Sequence, residues 1–181
     1  FLRPAVGKRI DGVGCDGLVR VGPGERFPPP CDYPLRIEAA VTGLPVGVAC
    51  LVSAGRIDCL PPMIQQFSAG HAPGYLGGEP LTCPRRRDRA EWLARRSVAA
   101  IEQATGEPAR GWVGVDMILG EREDGHGDRV LEVNPRLTTS FVGHAAAARE
   151  SLLDRLASQA AVDPAPHPLP YPFRLPADAL L

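Results

Sequence analysis

The chain has almost no lysine: of its twenty basic residues, nineteen are arginine and only Lys8 is lysine. In a chain that uses arginine for nearly every positive charge, the one lysine indicates a position that needs a compact ammonium group. Chance placement of this lysine is the alternative. An excess of one charge is also lacking, because 21 acidic residues leave a formal net charge of −1. This balance gives no electrostatic reason to expect a nucleic acid or an anionic membrane as partner.

Paired cysteines and long hydrophobic segments are absent as well. The five cysteines are scattered and include no C-x-x-C pair, so reduced thiols in a cytoplasmic protein are favoured over a disulfide framework or a zinc site. No apolar run approaches the roughly 20 residues of a membrane helix, and no signal-peptide pattern opens the chain. The first residue is Phe1, which favours a fragment or a processed product.

Hydrophobic periodicity predicts an α+β fold in which an antiparallel sheet is flanked by helices. Pro and Gly mark residues 22–34 and 61–84 as loops, and the strands within 37–60 are expected to form an antiparallel meander. The predicted strands span residues 18–21, 37–41, 46–53, 56–60, 112–119 and 129–134, and the predicted helices span residues 85–104 and 145–161.

The length of 181 residues fits one domain with its own core. We expect this domain to occupy residues 1–163 and a Pro-rich, irregular tail to occupy residues 164–181. Gly106 is expected to end the first helix. The face of that helix expected to be buried consists of Ala90, Leu93, Ala94, Ser97, Ala100, Ile101 and Ala104.

The last two predicted strands place carboxylates where a structural sheet would avoid them. If these strands form a hairpin about Asp124, Asp116 lies opposite Glu132, and Asn134 points to the same side as Glu132. Opposed carboxylates repel each other, and a hard cation such as Mg²⁺, which prefers oxygen ligands, removes the conflict. The pattern therefore favours a metal site, with one of the two acids facing solvent as the alternative.

A Gly-rich segment, KRIDGVGCDG at residues 8–17, is predicted to be a turn with Lys8 at its entrance. Glycines reach positive φ values, so such a turn can present backbone N–H groups to an anion, although most Gly-rich turns do not. Arg136 offers a planar guanidinium for a phosphate or a carboxylate. Hydroxyl groups follow it at Thr138, Thr139 and Ser140. With the carboxylates, this set of groups suits a nucleotide and magnesium.

Four segments together resemble the ATP-grasp family. The most specific is LEVNPRLTTSFVG at residues 131–143, which resembles the family's metal-binding strand and the loop after it. GWVGVDMIL at 111–119 resembles the strand before it, with its metal-binding Asp. Residues 8–17 resemble the phosphate loop, usually K-P-x-x-G-x-G, with Arg9 in place of Pro. EAAVTGLPVGVACLV at 38–52 is similar to the hinge and the following strand.

The resemblance implies that ATP is clasped between two lobes, with Mg²⁺ or Mn²⁺ as the metal cofactor. It implies a phosphate site at Lys8, Gly12, Gly14, Cys15 and Gly17, an adenine site at Glu38, Ala39 and Val41, and a metal site at Asp116, Glu132 and Asn134. Lys8 and Arg136 would be catalytic, because they would stabilise charge on the transferred phosphoryl group. The segment before Lys8 is a poor strand, so Arg3 stays an alternative to Lys8. ATP-grasp enzymes normally have a preceding α/β domain, which we expect this chain to lack.

The implied function is that of an ATP-dependent ligase joining a carboxylate to an amine through an acyl phosphate, with release of ADP and phosphate. The sequence is most similar to the tyramine–glutamate ligase group, which indicates glutamate as the carboxylate. Another ATP-grasp activity, such as that of a carboxylase or a peptide ligase, and a non-catalytic ATP-binding domain stay open. The expected partners are small-molecule carboxylate and amine substrates, with neither nucleic acid nor membrane, and a homodimer is an open alternative.

Overall fold

The computed structural model describes residues 4–10, 15, 17–26, 33–53, 55–148 and 151–161. A first antiparallel sheet contains β1 (Ala5–Arg9), β2 (Val19–Val21) and β3 (Leu35–Ala39) in the order β2-β1-β3. The prediction that residues 8 and 9 begin a turn, after a segment too poor to form a strand, is wrong. β1 is the central strand, so hydrogen bonding to a neighbour on each side outweighs the low strand propensity of its Ala and Gly.

A second, six-stranded sheet carries most of the core. Its main path is β7-β6-β4-β8-β9, and β5 also pairs with β4. The strands are β4 (Leu44–Ser53), β5 (Arg56–Cys59), β6 (Met63–Phe67), β7 (Tyr75–Pro80), β8 (Gly111–Leu119) and β9 (Arg129–Asn134).

Two sequence predictions for this region are wrong. Residues 61–84 are not all loop, because β6 and β7 pair in an antiparallel hairpin. The Pro and Gly residues of this segment had predicted a loop. The meander over 37–60 is broken, because β3 pairs with β1 in the first sheet whereas β4 and β5 pair in the second. Residues 40–43 therefore connect the two sheets.

Helix α1 (Pro84–Thr105) covers one face of the second sheet. Proline occupies its first turn, and Gly106 ends it in the left-handed conformation at φ 71°, as predicted. Its buried side chains are Ala90, Ala94 and Val98, which pack on the apolar strands β4 and β8. The expected buried face is wrong at its C-terminal end, since Ala100, Ile101 and Ala104 are exposed.

Two short helices cover part of the other face, where one helix over 145–161 was predicted. α2 (Ser140–Ala147) ends at Ala148, whose extended backbone separates it from α3 (Leu152–Ala161). The prediction of one continuous helix is therefore wrong, because the alanine-rich sequence gives no signal for the break. Trp112 and Leu51 form a small core with Leu152, and the ring of Phe141 meets Trp112 edge-on at 5.3 Å between centroids.

A partly buried ion pair joins the β8–β9 hairpin to α1. Arg89 and Asp128, whose side chains are 16% and 11% exposed, form this pair. Asp128 also accepts a hydrogen bond from the backbone N–H of Gly120, and Arg89 donates to the carbonyl of Gly120. These contacts fix the turn of the hairpin, so Arg89 has a structural role here.

Within the described residues, no helix is both long enough and apolar enough to cross a membrane. The predicted Pro-rich tail at 164–181 lies outside the described part of the chain.

Candidate nucleotide and metal site

A cleft of about 660 Å³ lies between the two sheets, a volume in the usual range for small-molecule sites. The first sheet, the 40–43 connection, the second sheet and the start of α2 all contribute to its lining. The lining residues used below are Lys8, Cys15, Glu38, Ala39, Val41, Gly47, Gln65, Asp116, Glu132, Asn134, Arg136, Thr138, Thr139 and Ser140.

The hairpin of β8 and β9 brings the two acidic residues face to face. Asp116 pairs with Glu132 and Gly114 pairs with Asn134, which is the register predicted from a hairpin about Asp124. A bulge follows directly, because Met117 pairs with Val130 and leaves Leu131 without a partner in the ladder. Bulges are frequent beside active sites, where they redirect side chains. Here the bulge lies between the pair of acids and the turn.

Asp116 is held from two sides. Gln65 donates from Nε2 to Oδ1 at 2.7 Å, and Asn134 donates from Nδ2 to Oδ2 at 3.0 Å. Sequence reasoning missed Gln65, because its strand was taken for a loop. Burial raises the pKa of Asp116, and the nearby Glu132 raises it further, whereas the hydrogen bond from Gln65 lowers it. A bound cation would favour the ionised carboxylate.

Gly47 makes the contact between Gln65 and Asp116 possible. β4 separates β6 from β8, so a side chain on β6 must cross β4 to reach Asp116. Gly47 pairs with Met63 on one side and Asp116 on the other, and alternation places Gln65 on the same face. A Cβ at Gly47 would lie 3.0 Å from Gln65 Nε2 and 3.4 Å from Asp116 Oδ1. Because Gly47 has no side chain, Gln65 can extend across β4 and contact Asp116.

Lys8 links the two sheets across the cleft. Its Nζ lies 2.9 Å from Oε2 of Glu132, and the two side chains are 15% and 40% exposed. The first sheet thus supplies the cation and the second sheet the anion. The only lysine of the sequence therefore lies beside the acidic pair.

The donor set fits a hard divalent cation. Two carboxylates and an amide carry oxygens on one face of the second sheet, and Mg²⁺ prefers oxygen ligands. The described residues contain no group of three or more His, Cys, Asp or Glu that could hold a metal. A cation here would therefore take its remaining ligands from water or from phosphate oxygens, as Mg²⁺ commonly does at nucleotide sites.

Arg136 and three hydroxyl residues line the end of the cleft next to Asn134. Arg136 donates to Asn134 Oδ1 at 3.3 Å and to the carbonyl oxygen of Leu137 at 3.2 Å. Thr138 accepts a hydrogen bond from Trp112 Nε1 and lies 3.0 Å from Ser140 Oγ. Gly114 permits this packing, since a Cβ there would lie 2.4 Å from Thr138 Cγ2.

The predicted phosphate loop is described only in part. Gly12 and Gly14 lie outside the described residues. Cys15 lines the cleft, and burial raises the pKa of its thiol. Gly17 has φ 65° and packs against the side chain of Arg9, which a Cβ would approach to 2.5 Å. Gly17 thus needs to be glycine, but it is not among the residues that line the cleft.

The predicted adenine site lies at the junction between the sheets. Glu38, Ala39 and Val41 all line the cleft where β3 leads into the 40–43 connection. Glu38 forms an ion pair with Arg36 at 3.0 Å. The end of β3 is tied down by a hydrogen bond from the Ala40 N–H to the carbonyl of Pro4. Residues 38–41 therefore bring backbone groups and apolar side chains to one wall of the cleft.

Comparison with protein families identifies the fold around this cleft. A model of the ATP-grasp domain matches residues 2–140, more than half of the chain. The chain belongs to the ATP-grasp family. The predicted resemblance to the ATP-grasp family is thereby confirmed. A search of curated proteins found no match to the sequence.

Solved structures share this ATP-grasp fold at low identity, each with a TM-score of 0.57. A protein from Archaeoglobus fulgidus assigned to the ATP-grasp superfamily is 23% identical and aligns over 85% of this chain and 44% of its own. Carboxyaminoimidazole ribonucleotide synthase from Aspergillus clavatus, solved with ATP, is 20% identical, over 76% of this chain and 35% of its own. D-alanine–D-alanine ligase from Bacillus anthracis is 18% identical and aligns over 88% of this chain and 55% of its own. The chain thus spans about half or less of these proteins.

Proposed function

We propose that the cleft binds ATP with Mg²⁺ or Mn²⁺ and that the chain is the nucleotide- and metal-binding part of a carboxylate–amine ligase. The observation that carries this proposal is the convergence of one lysine, two carboxylates, an amide and an arginine in one cleft between two sheets. Family membership supports it, as does a structural neighbour solved with ATP and another that is a ligase. We assign residues 1–163 to this domain.

The cleft residues divide into four roles under this proposal. Asp116, Glu132 and Asn134 hold the metal, which supplies positive charge against the phosphates of ATP. Lys8 contacts the phosphates as a point charge. The 38–41 wall receives the adenine through backbone groups. Arg136 lies beside Asn134 and stabilises charge on the group being transferred.

The proposed reaction has two steps. An oxygen of the substrate carboxylate attacks the γ-phosphorus of ATP, which releases ADP and gives an acyl phosphate. The amine then attacks the acyl carbon, which forms the amide and releases phosphate. Glutamate is the first carboxylate to test, with tyramine or a related aryl-ethylamine as the amine. The support for these substrates is a resemblance to the tyramine–glutamate ligase group in the NPRLTTS segment, the DGVGC loop and Gly77-Gly78 after Tyr75. An ATP-grasp enzyme of other specificity and a non-catalytic ATP-binding domain are the alternatives.

We expect ADP release to depend on both a carboxylate and an amine. An acyl phosphate is prone to hydrolysis, so the site is expected to form it efficiently only when both substrates are bound. A coupled assay for ADP, run with each substrate omitted in turn, checks this. Hydroxylamine should replace the natural amine and yield a hydroxamate. Both assays use the full-length protein, because this chain spans about half or less of its structural neighbours. If that protein's melting temperature rises with Mg·ATP but it releases no ADP, the domain is the non-catalytic ATP-binding one instead.

Replacing Gln65 with Leu is expected to weaken Mn²⁺ binding in the presence of ADP about tenfold. The substitution removes one of the two donors that orient Asp116, and a hydrogen bond to a charged group typically contributes about 1.5–3 kcal/mol. Electron paramagnetic resonance of free Mn²⁺ measures the change. The matched control is Gln66→Leu, because Gln66 is exposed and points to the opposite face of β6. Equal losses in both variants would show that Gln65 has no special role.

A further inference from the structure

The second sheet carries a pair of thiols on the face opposite the cleft. Cys50 on β4 and Cys59 on β5 are directly opposed partners, and their sulfur atoms are 3.5 Å apart. Cys50 is fully buried, and Cys59 is partly buried beneath α1, where its sulfur lies 3.8 Å from the carbonyl oxygen of Glu91. The missing C-x-x-C pattern gave no sign of this contact, which follows from the pairing of β4 with β5.

The strand register suits a covalent bond between these two residues. The neighbouring pair, Ala49 and Leu60, is joined by a backbone hydrogen bond from the N–H of Leu60 to the carbonyl of Ala49 at 2.8 Å. Hydrogen-bonded and non-hydrogen-bonded pairs alternate along antiparallel strands, so Cys50 and Cys59 form a non-hydrogen-bonded pair. Cα atoms in such pairs are roughly 4.5 Å apart, which is within the span that a disulfide bridges.

The two sulfurs differ in their surroundings. The hydrogen bond with Cys50 lowers the pKa of Cys59, and the guanidinium of Arg95 on α1 lowers it further, whereas burial, Glu91 and Asp58 oppose this. The same hydrogen bond and burial raise the pKa of Cys50. Cys59 is therefore both the less buried of the two residues and the one whose thiol more readily forms the nucleophilic thiolate.

We propose that Cys50 and Cys59 are a site of reversible oxidation that forms an internal disulfide on reaction with hydrogen peroxide. Cys59 loses its proton, and its thiolate attacks a peroxide oxygen. The S–O bond forms, the O–O bond breaks, and water leaves with a sulfenic acid on Cys59. The sulfur of Cys50 then attacks that of Cys59, so the S–S bond forms and the S–O bond breaks. The hydroxide takes the Cys50 proton and leaves as a second water. The two sulfurs lose two electrons and the peroxide gains two.

The bridge would tie β5 to the centre of the second sheet. It closes a ring over residues 50–59 and stays on the α1 face, away from Asp116. A ring of this length is expected to raise the melting temperature by about 5–10 °C in a domain of this size. A reductant such as dithiothreitol is expected to reverse the rise.

The test uses the full chain with its other three cysteines, Cys15, Cys31 and Cys83, replaced by Ser. The folded chain is treated with hydrogen peroxide and then unfolded in denaturant with iodoacetamide. We expect an intact mass lower by two hydrogen atoms, a cross-linked peptide containing both cysteines, and no alkylated thiol. Dithiothreitol should restore both thiols. If both thiols are alkylated in the unfolded chain after the peroxide treatment, the site does not exist.

Two single replacements in the same background test the order of reaction. With Cys50→Ala, dimedone should trap a sulfenic acid on Cys59. With Cys59→Ala, the buried Cys50 should stay a thiol under the same conditions. A sulfenic acid on Cys50 in the second variant, with none on Cys59 in the first, would contradict the assignment of Cys59 as the attacking sulfur. Because the first test retains both cysteines, poor folding of either single variant does not prevent the test of the bridge.

Discussion

Replacing Asp116 with Asn, or Glu132 with Gln, is expected to abolish turnover and to remove the metal dependence of ATP binding. Each change removes one of two carboxylates that lie opposite each other on adjacent strands. A cation held by only one carboxylate and an amide loses much of its electrostatic attraction in a partly buried cleft. Calorimetric titration of ATP with and without Mg²⁺ measures the binding, and ADP release measures the turnover.

The fold should survive both changes. Neutralising either acid relieves the repulsion that contributes to the raised pKa of Asp116. Each change also removes a contact. Glu132→Gln loses the ion pair with Lys8, and Asp116→Asn loses the hydrogen bond from Gln65 to a charged carboxylate. These effects oppose each other, so the melting temperature of the metal-free chain should change by only a few degrees, about the change for 1 kcal/mol. Asp124→Asn is the control, because Asp124 is an exposed acid at the hairpin turn. A wild-type response to Mg²⁺ in both site variants would place the metal elsewhere.

Replacing Lys8 with Met is expected to weaken Mg·ATP binding by about 1–3 kcal/mol, the scale of a charge-assisted contact. In the absence of nucleotide the same change should strengthen Mn²⁺ binding. The reason is the ion pair: the ammonium lies 2.9 Å from a carboxylate that the metal would need, so the two cations compete. Titrations of Mn²⁺ alone and of Mg·ATP should therefore move in opposite directions.

Lys8→Arg is the matched variant for this test. It keeps the charge but replaces a compact ammonium with a planar guanidinium, so we expect only partial recovery of ATP affinity. Unchanged ATP affinity in both Lys8 variants would make Lys8 an ordinary charge. Arg3, which lies outside the described residues, would then return as the phosphate-binding candidate.

The parts of the fold that the sequence predicted well are those set by local pattern. β8 and β9 are adjacent, strand-like segments joined by one polar turn, so symmetry about Asp124 sufficed to place Asp116 opposite Glu132. Helix α1 was predicted to within a residue at each end, because its apolar period is regular and Gly106 ends it.

The failures concern strands whose own residues are weak strand formers and which are stabilised by pairing with other strands. β1 is a strand because β2 and β3 pair with it on both sides, although its own residues are weak strand formers. β6 and β7 form a hairpin at the edge of the second sheet despite a Gly- and Pro-rich composition. Composition alone cannot report such pairing.

Gln65 and the Cys50–Cys59 pair show the same limit at the level of side chains. The contact of Gln65 with Asp116 requires the register of three strands and a glycine at position 47, and no short motif encodes that combination. The thiol contact likewise follows from the register of β4 against β5. Residues that act through a neighbouring strand are visible only once the strand order is known.

Oxygen-isotope transfer tests most directly whether the cleft forms an acyl phosphate. A carboxylate substrate labelled with oxygen-18, incubated with ATP, Mg²⁺ and amine, donates one labelled oxygen to the γ-phosphorus in the first step. The amine then releases that oxygen with the phosphate. Mass spectrometry should therefore find one oxygen-18 in the inorganic phosphate and none in the adenine nucleotide. Oxygen-18 in AMP, with release of pyrophosphate, would mean an acyl adenylate and would contradict the proposed ligase mechanism.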